Sequence, residues 1–151
     1  MLQQLTMEHK PAMLALVAAT AMFSEEEIAY IADSFDQSQG SAIWLGAFDQ
    51  EQMVGVAYSV PAEMTHGTWN VLMLLVHPEQ QRKGVGNALM QLMAKMLQQQ
   101  KQRLLIVETS STDAFQQARD FYTAIGYSQQ GTVEHYYDND DHKVTFSNKL
   151  S

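Results

Sequence analysis

One stretch constrains the fold more than any other. Trp69–Val76 (WNVLMLLV) is a nearly unbroken apolar run of strand length, followed by His77 and Pro78. Such continuity predicts a strand buried on both faces, and a proline ends it because it lacks the donor a central strand needs. A loop with glycines at 84 and 86 comes next. Val85, Leu89, Leu92, Met93, Met96 and Leu97 then recur at helical spacing, and Leu104–Val107 reads as a second buried strand. Strand 69–76, helix 86–100 and strand 104–109 therefore predict a parallel pair joined by a right-handed crossover. That unit places the chain among α/β (α+β mixed) folds: a central twisted mixed sheet flanked by helices.

The flanks fill in the rest. Met1–Met7 alternates weakly, as a first strand. Pro11 suits a helix start, where a missing N–H is harmless, and Met13, Leu14, Leu16, Val17 and Met22 suit its buried face. Ser24-Glu25-Glu26-Glu27 is a capping box opening a helix that runs to about Phe35. Ile43–Phe48 and Met53–Val60 form a hairpin around a four-residue turn, Asp49-Gln50-Glu51-Gln52. Thr112 or Asp113 caps a late helix whose Ala114, Ala118, Phe121, Tyr122 and Ile125 share a face, and Gly126 stops it. Tyr127–Tyr137 and Lys143–Leu150 are a last antiparallel hairpin turning at Asp138-Asn139-Asp140-Asp141.

Composition narrows the function classes. The chain has 151 residues, a length typical of one domain spanning 1–151. Nine Lys+Arg against seventeen Asp+Glu give a net charge of −8. So acidic a chain is poorly suited to nucleic acid or anionic membrane, and its field favours cationic partners. With no cysteine, disulfides, thiolate zinc sites and a Cys nucleophile are excluded. His9, His66, His77, His135 and His142 show no ligand spacing, so no metal is expected, and Ser110 and Ser111 lack the G-x-S-x-G elbow of hydrolases. No apolar run approaches the ~20 residues of a membrane span, and the N-terminus lacks the pattern of a secretory signal. A cytoplasmic protein is expected.

The glycine loop carries the chemistry. In Val76-His77-Pro78-Glu79-Gln80-Gln81-Arg82-Lys83-Gly84-Val85-Gly86-Asn87, a strand stops, two adjacent cations follow, and a long helix begins. Free N–H groups at a helix start carry partial positive charge, and glycines let an anion approach the backbone closely. Together these describe a phosphate cradle. The loop is not a Walker A sequence, and the dinucleotide pattern G-x-G-x-x-G fails at Leu89.

The string Gln81-x-x-Gly84-x-Gly86, after a strand ending V-x-P, resembles the acyl-CoA signature Q/R-x-x-G-x-G/A of the GCN5-related N-acetyltransferases, the GNAT superfamily. Ala118–Tyr127 (ARDFYTAIGY) is similar to that family's late helix, and Glu108-Thr109-Ser110-Ser111 and Tyr136–Phe146 also resemble members of it. The resemblance runs from about residue 42 to the end. It implies acetyl-CoA as cosubstrate, with backbone amides of Arg82, Lys83, Gly84, Val85, Gly86 and Asn87 on the pyrophosphate, Gln81 in the signature, and the pantetheine beside Leu74, Leu75 and Val76. It implies Tyr122 as acid for the departing thiolate, against a plain reading as a core aromatic. Glu108 is a candidate base, balanced against a strand-end carboxylate capping the next loop, with a water relay as runner-up. Many members carry Asn where this chain has Phe115, so a cofactor contact is missing or replaced there.

The expected activity is N-acetyl transfer to a primary amine of a small, cationic or amino-acid-like acceptor, by direct attack in a ternary complex. Alternatives are a non-catalytic acyl-CoA sensor and a protein N-terminal or lysine acetyltransferase. Residues 22–41, the 61–68 loop and the last hairpin would build the acceptor pocket. The acids Asp138, Asp140 and Asp141 read as a turn, with attraction of an ammonium as a lesser role. The tail strands leave room for a homodimer.

Overall fold

The computed structural model describes Met1–Ser151. Seven strands follow the order β1-β2-β3-β4-β5-β7-β6, where β1 is Leu2–Gln4, β2 Ile43–Asp49, β3 Gln52–Pro61, β4 Thr68–Val76, β5 Leu104–Ser110, β6 Ser128–Asp138 and β7 Asp141–Lys149. Four α-helices accompany them: α1 Lys10–Ala19, α2 Glu25–Gln37, α3 Val85–Gln99 and α4 Gln116–Ala124. The α/β class and the mixed sheet expected from the sequence are both present. The chain divides into two compact units, Met1–Val60 with Met73–Met96, and Pro61–Leu72 with Leu97–Ser151.

In the first unit, β1, β2 and β3 pair antiparallel in succession. Leu5, Met13, Leu16, Val17, Phe35, Trp44, Met53, Val56 and Leu75 bury together, which puts α1 and α2 over one face of these strands. The Ser24 cap forms as its sequence dictates: Glu27 N–H donates to Ser24 Oγ at 3.1 Å, and Ser24 N–H donates to Glu27 Oε1 at 2.9 Å. Met22 departs from expectation. Ala21 adopts a left-handed φ of 55° that ends α1 early, and Met22 lies 57% exposed.

Alternation along β3 turns Gly55 and Ser59 to the other face, where α3 packs. Ser59 Oγ donates to Met93 Sδ at 3.0 Å. A Cβ built at Gly55 would meet Val85 Cγ1 at 2.7 Å and Leu89 Cδ1 at 2.9 Å. Gly55 thus lets the first turn of α3 sit directly on the strand. Gly55→Ala should cost about 1–3 kcal/mol by overpacking. Urea unfolding measures it, and an unchanged midpoint would show that α3 yields at no cost.

In the second unit, β4 and β5 are parallel, Thr68 opposite Leu104 through Val71 opposite Val107. β7 lies antiparallel to β5, and β6 to β7. Both hairpin turns are tighter than the sequence suggested. Asp49 pairs with Gln52 and Asp138 with Asp141, which leaves two-residue loops with left-handed Gln50 (φ 57°) and Asp140 (φ 60°). A larger correction concerns β4. It is not buried on both faces: Val71 and Leu75 are, but Leu72 is 54% exposed and Leu74 and Val76 only half-buried. Apolar residues occupy both faces of the strand, and only one face carries fully buried ones.

Candidate active site

The glycine turn is open. Gln81, Arg82, Lys83 and Gly84 are exposed, and a Cβ at Gly84 would meet nothing within 4 Å. Arg82 (φ 63°) and Gly84 (φ 85°) are left-handed on either side of Lys83. Alternation of this kind turns successive N–H groups to one side and makes an anion-binding hollow. The first regular bond of α3 is Ala88 N–H to Gly84 C=O, 3.0 Å. The amides of Val85, Gly86 and Asn87 precede it and have no place in the helix ladder. Pro78–Gln80 forms a 3-10 turn capped by His77, whose Nδ1 accepts from Glu79 N–H at 3.1 Å. Gln81 Nε2 reaches back to the Val76 carbonyl at 3.5 Å, which ties the turn to the end of β4. A cavity of about 250 Å³ opens beside the turn, with Lys83, Gly84, Val85 and Ala88 in its wall.

A second constellation lies in the other unit. The ladder between β4 and β5 ends at Val71 and Val107, although both strands continue. Glu108 is the next residue of β5. Asn70 Nδ2 donates to its Oε1 at 3.0 Å, and Lys143 Nζ donates to its Oε2 at 2.7 Å. Lys143 Nζ also lies 4.1 Å from the centre of the Tyr136 ring. The Glu108 carboxylate therefore does not cap the loop that follows; Ser110 does, by accepting from Thr112 N–H and donating to Asp141 Oδ1. Tyr122 is 6% exposed on α4, packed against Phe121, Tyr127 and Phe146. Arg119, one turn earlier, anchors that helix by donating to the carbonyls of Ser110 and Thr112.

A family model for the acetyltransferase (GNAT) domain matches residues 16–139. The chain belongs to the GNAT acetyltransferase family. The match starts well before the motif-based resemblance, which began near residue 42, and takes in α2 and part of α1. Solved structures share this GNAT fold across the full chain. A GNAT-family protein from Desulfovibrio desulfuricans superposes with a TM-score of 0.93 at 22% identity, covering 100% of this chain and 99% of that one. An aminoglycoside 6'-N-acetyltransferase complexed with coenzyme A gives 0.80 at 15%, covering 100% and 97%. The ribosomal-protein-S18-alanine N-acetyltransferase from Escherichia coli gives 0.81 at 17%, covering 100% and 94%. No curated protein matches this GNAT chain in sequence.

Within this acetyltransferase, Gln81–Gly84 are exposed and Val85, Gly86 and Asn87 half-buried, in the stretch that leads from the end of β4 into α3. Asn70, Lys143 and Tyr136 were not singled out from the sequence. Lys143 pairs in register with Ser110, and Glu108 with Thr145, so the Glu108–Lys143 contact is a diagonal across two strands. No local pattern reveals such a pair before the strand register is known. No group of three or more His, Asp or Glu side chains is placed to hold a metal ion, and no helix is long and apolar enough to cross a membrane.

Burial raises the pKa of Tyr122 well above its ordinary 10.0, with the neighbouring Tyr127 adding to the rise. Burial also pushes Tyr127 up to about 12, partly offset by the Asn148 side chain. In the unfolded chain both phenols ionise near 10. Stability from these groups is complete below that pH and lost as pH rises from 10 toward 12. The urea midpoint should fall across that window, and Tyr127→Phe should flatten the fall. An equal slope in the variant would remove Tyr127 as a cause.

Proposed function

We propose that this GNAT protein transfers the acetyl group of acetyl-CoA to a primary amine of a small, cationic or amino-acid-like acceptor. The observation that carries the reading is the open, cationic glycine turn at the start of α3, in a chain that matches the family along most of its length. The turn fits a diphosphate: the amides of Arg82–Asn87 supply donors, Arg82 and Lys83 supply charge, and Gly84 leaves the approach clear. Leu74–Val76 offers an apolar, half-open stretch beside which a pantetheine arm would lie as an added strand.

Acetyl-CoA supplies an activated carbonyl and a sulfur leaving group. The amine nitrogen bonds to the carbonyl carbon, the carbon–sulfur bond breaks, and the amine's proton leaves. A backbone N–H of the 74–76 stretch polarises the carbonyl, a type of contact worth about 3–4 kcal/mol in other acyl-transfer enzymes. The Tyr122 phenol, kept protonated by burial, donates to the sulfur as negative charge builds there. Its raised pKa suits a hydrogen-bond donor better than a full proton donor, because a thiol of pKa ~8.5 is the stronger acid. Glu108 receives the amine's proton. Both of its oxygens are engaged in the free protein, so it serves as a base only once one partner leaves.

The test is thiol release. Purified protein, acetyl-CoA and a panel of small primary amines should yield free CoA with at least one member and N-acetylated product by mass spectrometry. Acetyl-CoA binding with no thiol release across the panel would overturn the reading in favour of an acyl-CoA sensor. Acetylation confined to polypeptides would move the acceptor class to proteins.

A further inference from the structure

We propose that Lys143 Nζ occupies, in the free protein, the position that the acceptor's own ammonium takes on binding, so that Lys143 is an internal stand-in for the substrate and must swing away before acetyl transfer. The inference rests on the acetyltransferase reading above and adds to it the recognition group for the acceptor's amine.

Four strands build this position. Glu108 on β5 provides the carboxylate, 2.7 Å from the Lys143 ammonium. Tyr136 on β6 provides an aromatic face, 4.1 Å from the same nitrogen. A carboxylate together with a ring face is a strong recognition set for a cation, and it becomes more so as water is withdrawn. Asn70 on β4 holds the other Glu108 oxygen at 3.0 Å, which fixes the carboxylate in place. Lys143 itself comes from β7. The Glu108 and Lys143 side chains retain 25% and 18% of their accessible surface, so the pair borders solvent and a second ammonium has a route to it.

The backbone around the site is shaped to place Tyr136 there. β6 and β7 pair regularly at Val133 with Lys143 and at Asp138 with Asp141, so Glu134-His135-Tyr136-Tyr137 lie opposite the single residue His142. His135 takes a left-handed φ of 59°, and its N–H donates to His142 Nδ1 at 2.8 Å. Bulges of this kind re-aim side chains next to active sites. A simple cross-strand ion pair would need neither the bulge nor the ring. A lysine ammonium and a primary-amine acceptor present the same group, RNH3+, so the position selects primary ammonium over a neutral isostere.

The experiment is a titration of the full chain with n-butylammonium chloride, and with the neutral isostere 1-butanol, in the absence of acetyl-CoA, followed by NMR of the amide signals of Glu108 and the Cε–Nζ signals of Lys143. Butylammonium should move the Lys143 side-chain signals toward those of a solvent-exposed lysine, and butanol should not. Lys143→Met, which keeps the length without the charge, should bind butylammonium about tenfold more tightly than the unaltered protein, a change of about 1.4 kcal/mol. Adding Glu108→Gln to Lys143→Met should abolish that gain. Unmoved Lys143 signals in the unaltered protein at saturating butylammonium would overturn the proposal even if Lys143→Met does not fold. Equal or weaker binding by a folded Lys143→Met would overturn it as well and leave a structural ion pair. Because no acetyl-CoA is present, failure of acetyl transfer and failure of ammonium recognition are read separately.

Discussion

Tyr122→Phe should lower turnover by about 10²–10³-fold, the loss typical of removing one preorganised donor at a site of developing charge, while acetyl-CoA affinity stays within about twofold. The asymmetry follows from where the hydroxyl acts. Phenylalanine keeps the ring that packs on Phe121, Tyr127 and Phe146, so the helix face survives. In the proposed mechanism, what disappears is a donor to charge that exists only as the carbon–sulfur bond breaks, so the loss should fall on kcat and not on ground-state binding. Burial raises the Tyr122 pKa, so rising pH should not silence the unaltered enzyme near 10 through this group. Steady-state kinetics across pH, beside a binding titration, check both statements. Turnover in the variant within about twofold of the parent would return Tyr122 to a purely packing role.

A matched pair of glycine replacements isolates the cradle. Gly84 (φ 85°) and Gly40 (φ 87°) share a left-handed backbone, and at each an added Cβ meets nothing within 4 Å. Valine at either should therefore cost stability through the backbone alone, roughly 1–2 kcal/mol by the usual left-handed penalty. Only Gly84→Val puts a branched side chain beside the amides proposed to receive the diphosphate. It should weaken acetyl-CoA binding at least about tenfold, equivalent to about 1.4 kcal/mol, whereas Gly40→Val should leave that affinity unchanged. Calorimetric titration of the two variants, each verified as folded, makes the comparison. Equal affinities would show that the turn does not touch the cofactor.

The central strand–helix–strand unit was legible because three local signals agree along it: apolar continuity at 69–76, glycines at 84 and 86, and helical spacing from Val85 onward. Agreement across levels is what makes a sequence specify one arrangement. The Ser24 cap was legible for a related reason, since both of its bonds form within four residues. The half-open state of β4 was not. An apolar strand looks the same whether its second face is covered by a helix or left open, and Leu72, 54% exposed, shows that it is open there. Turn lengths were misjudged by one residue on each side because Asp49 and Asp138 are turn formers by composition, yet tertiary pairing recruits both into strands. The Glu108–Lys143–Tyr136 grouping depends on the register of β5, β7 and β6 and on a bulge at His135, neither of which is encoded in nearby residues.

The most direct measurement follows the backbone amides of Lys83, Gly84, Val85, Gly86 and Asn87 by NMR as acetyl-CoA is added, with pantetheine, which lacks the diphosphate, as comparison. Saturable shifts concentrated in those five amides, with pantetheine binding far more weakly and leaving them still, is the expected result. Acetyl-CoA that fails to bind, or that binds without moving them, would contradict the account at its base.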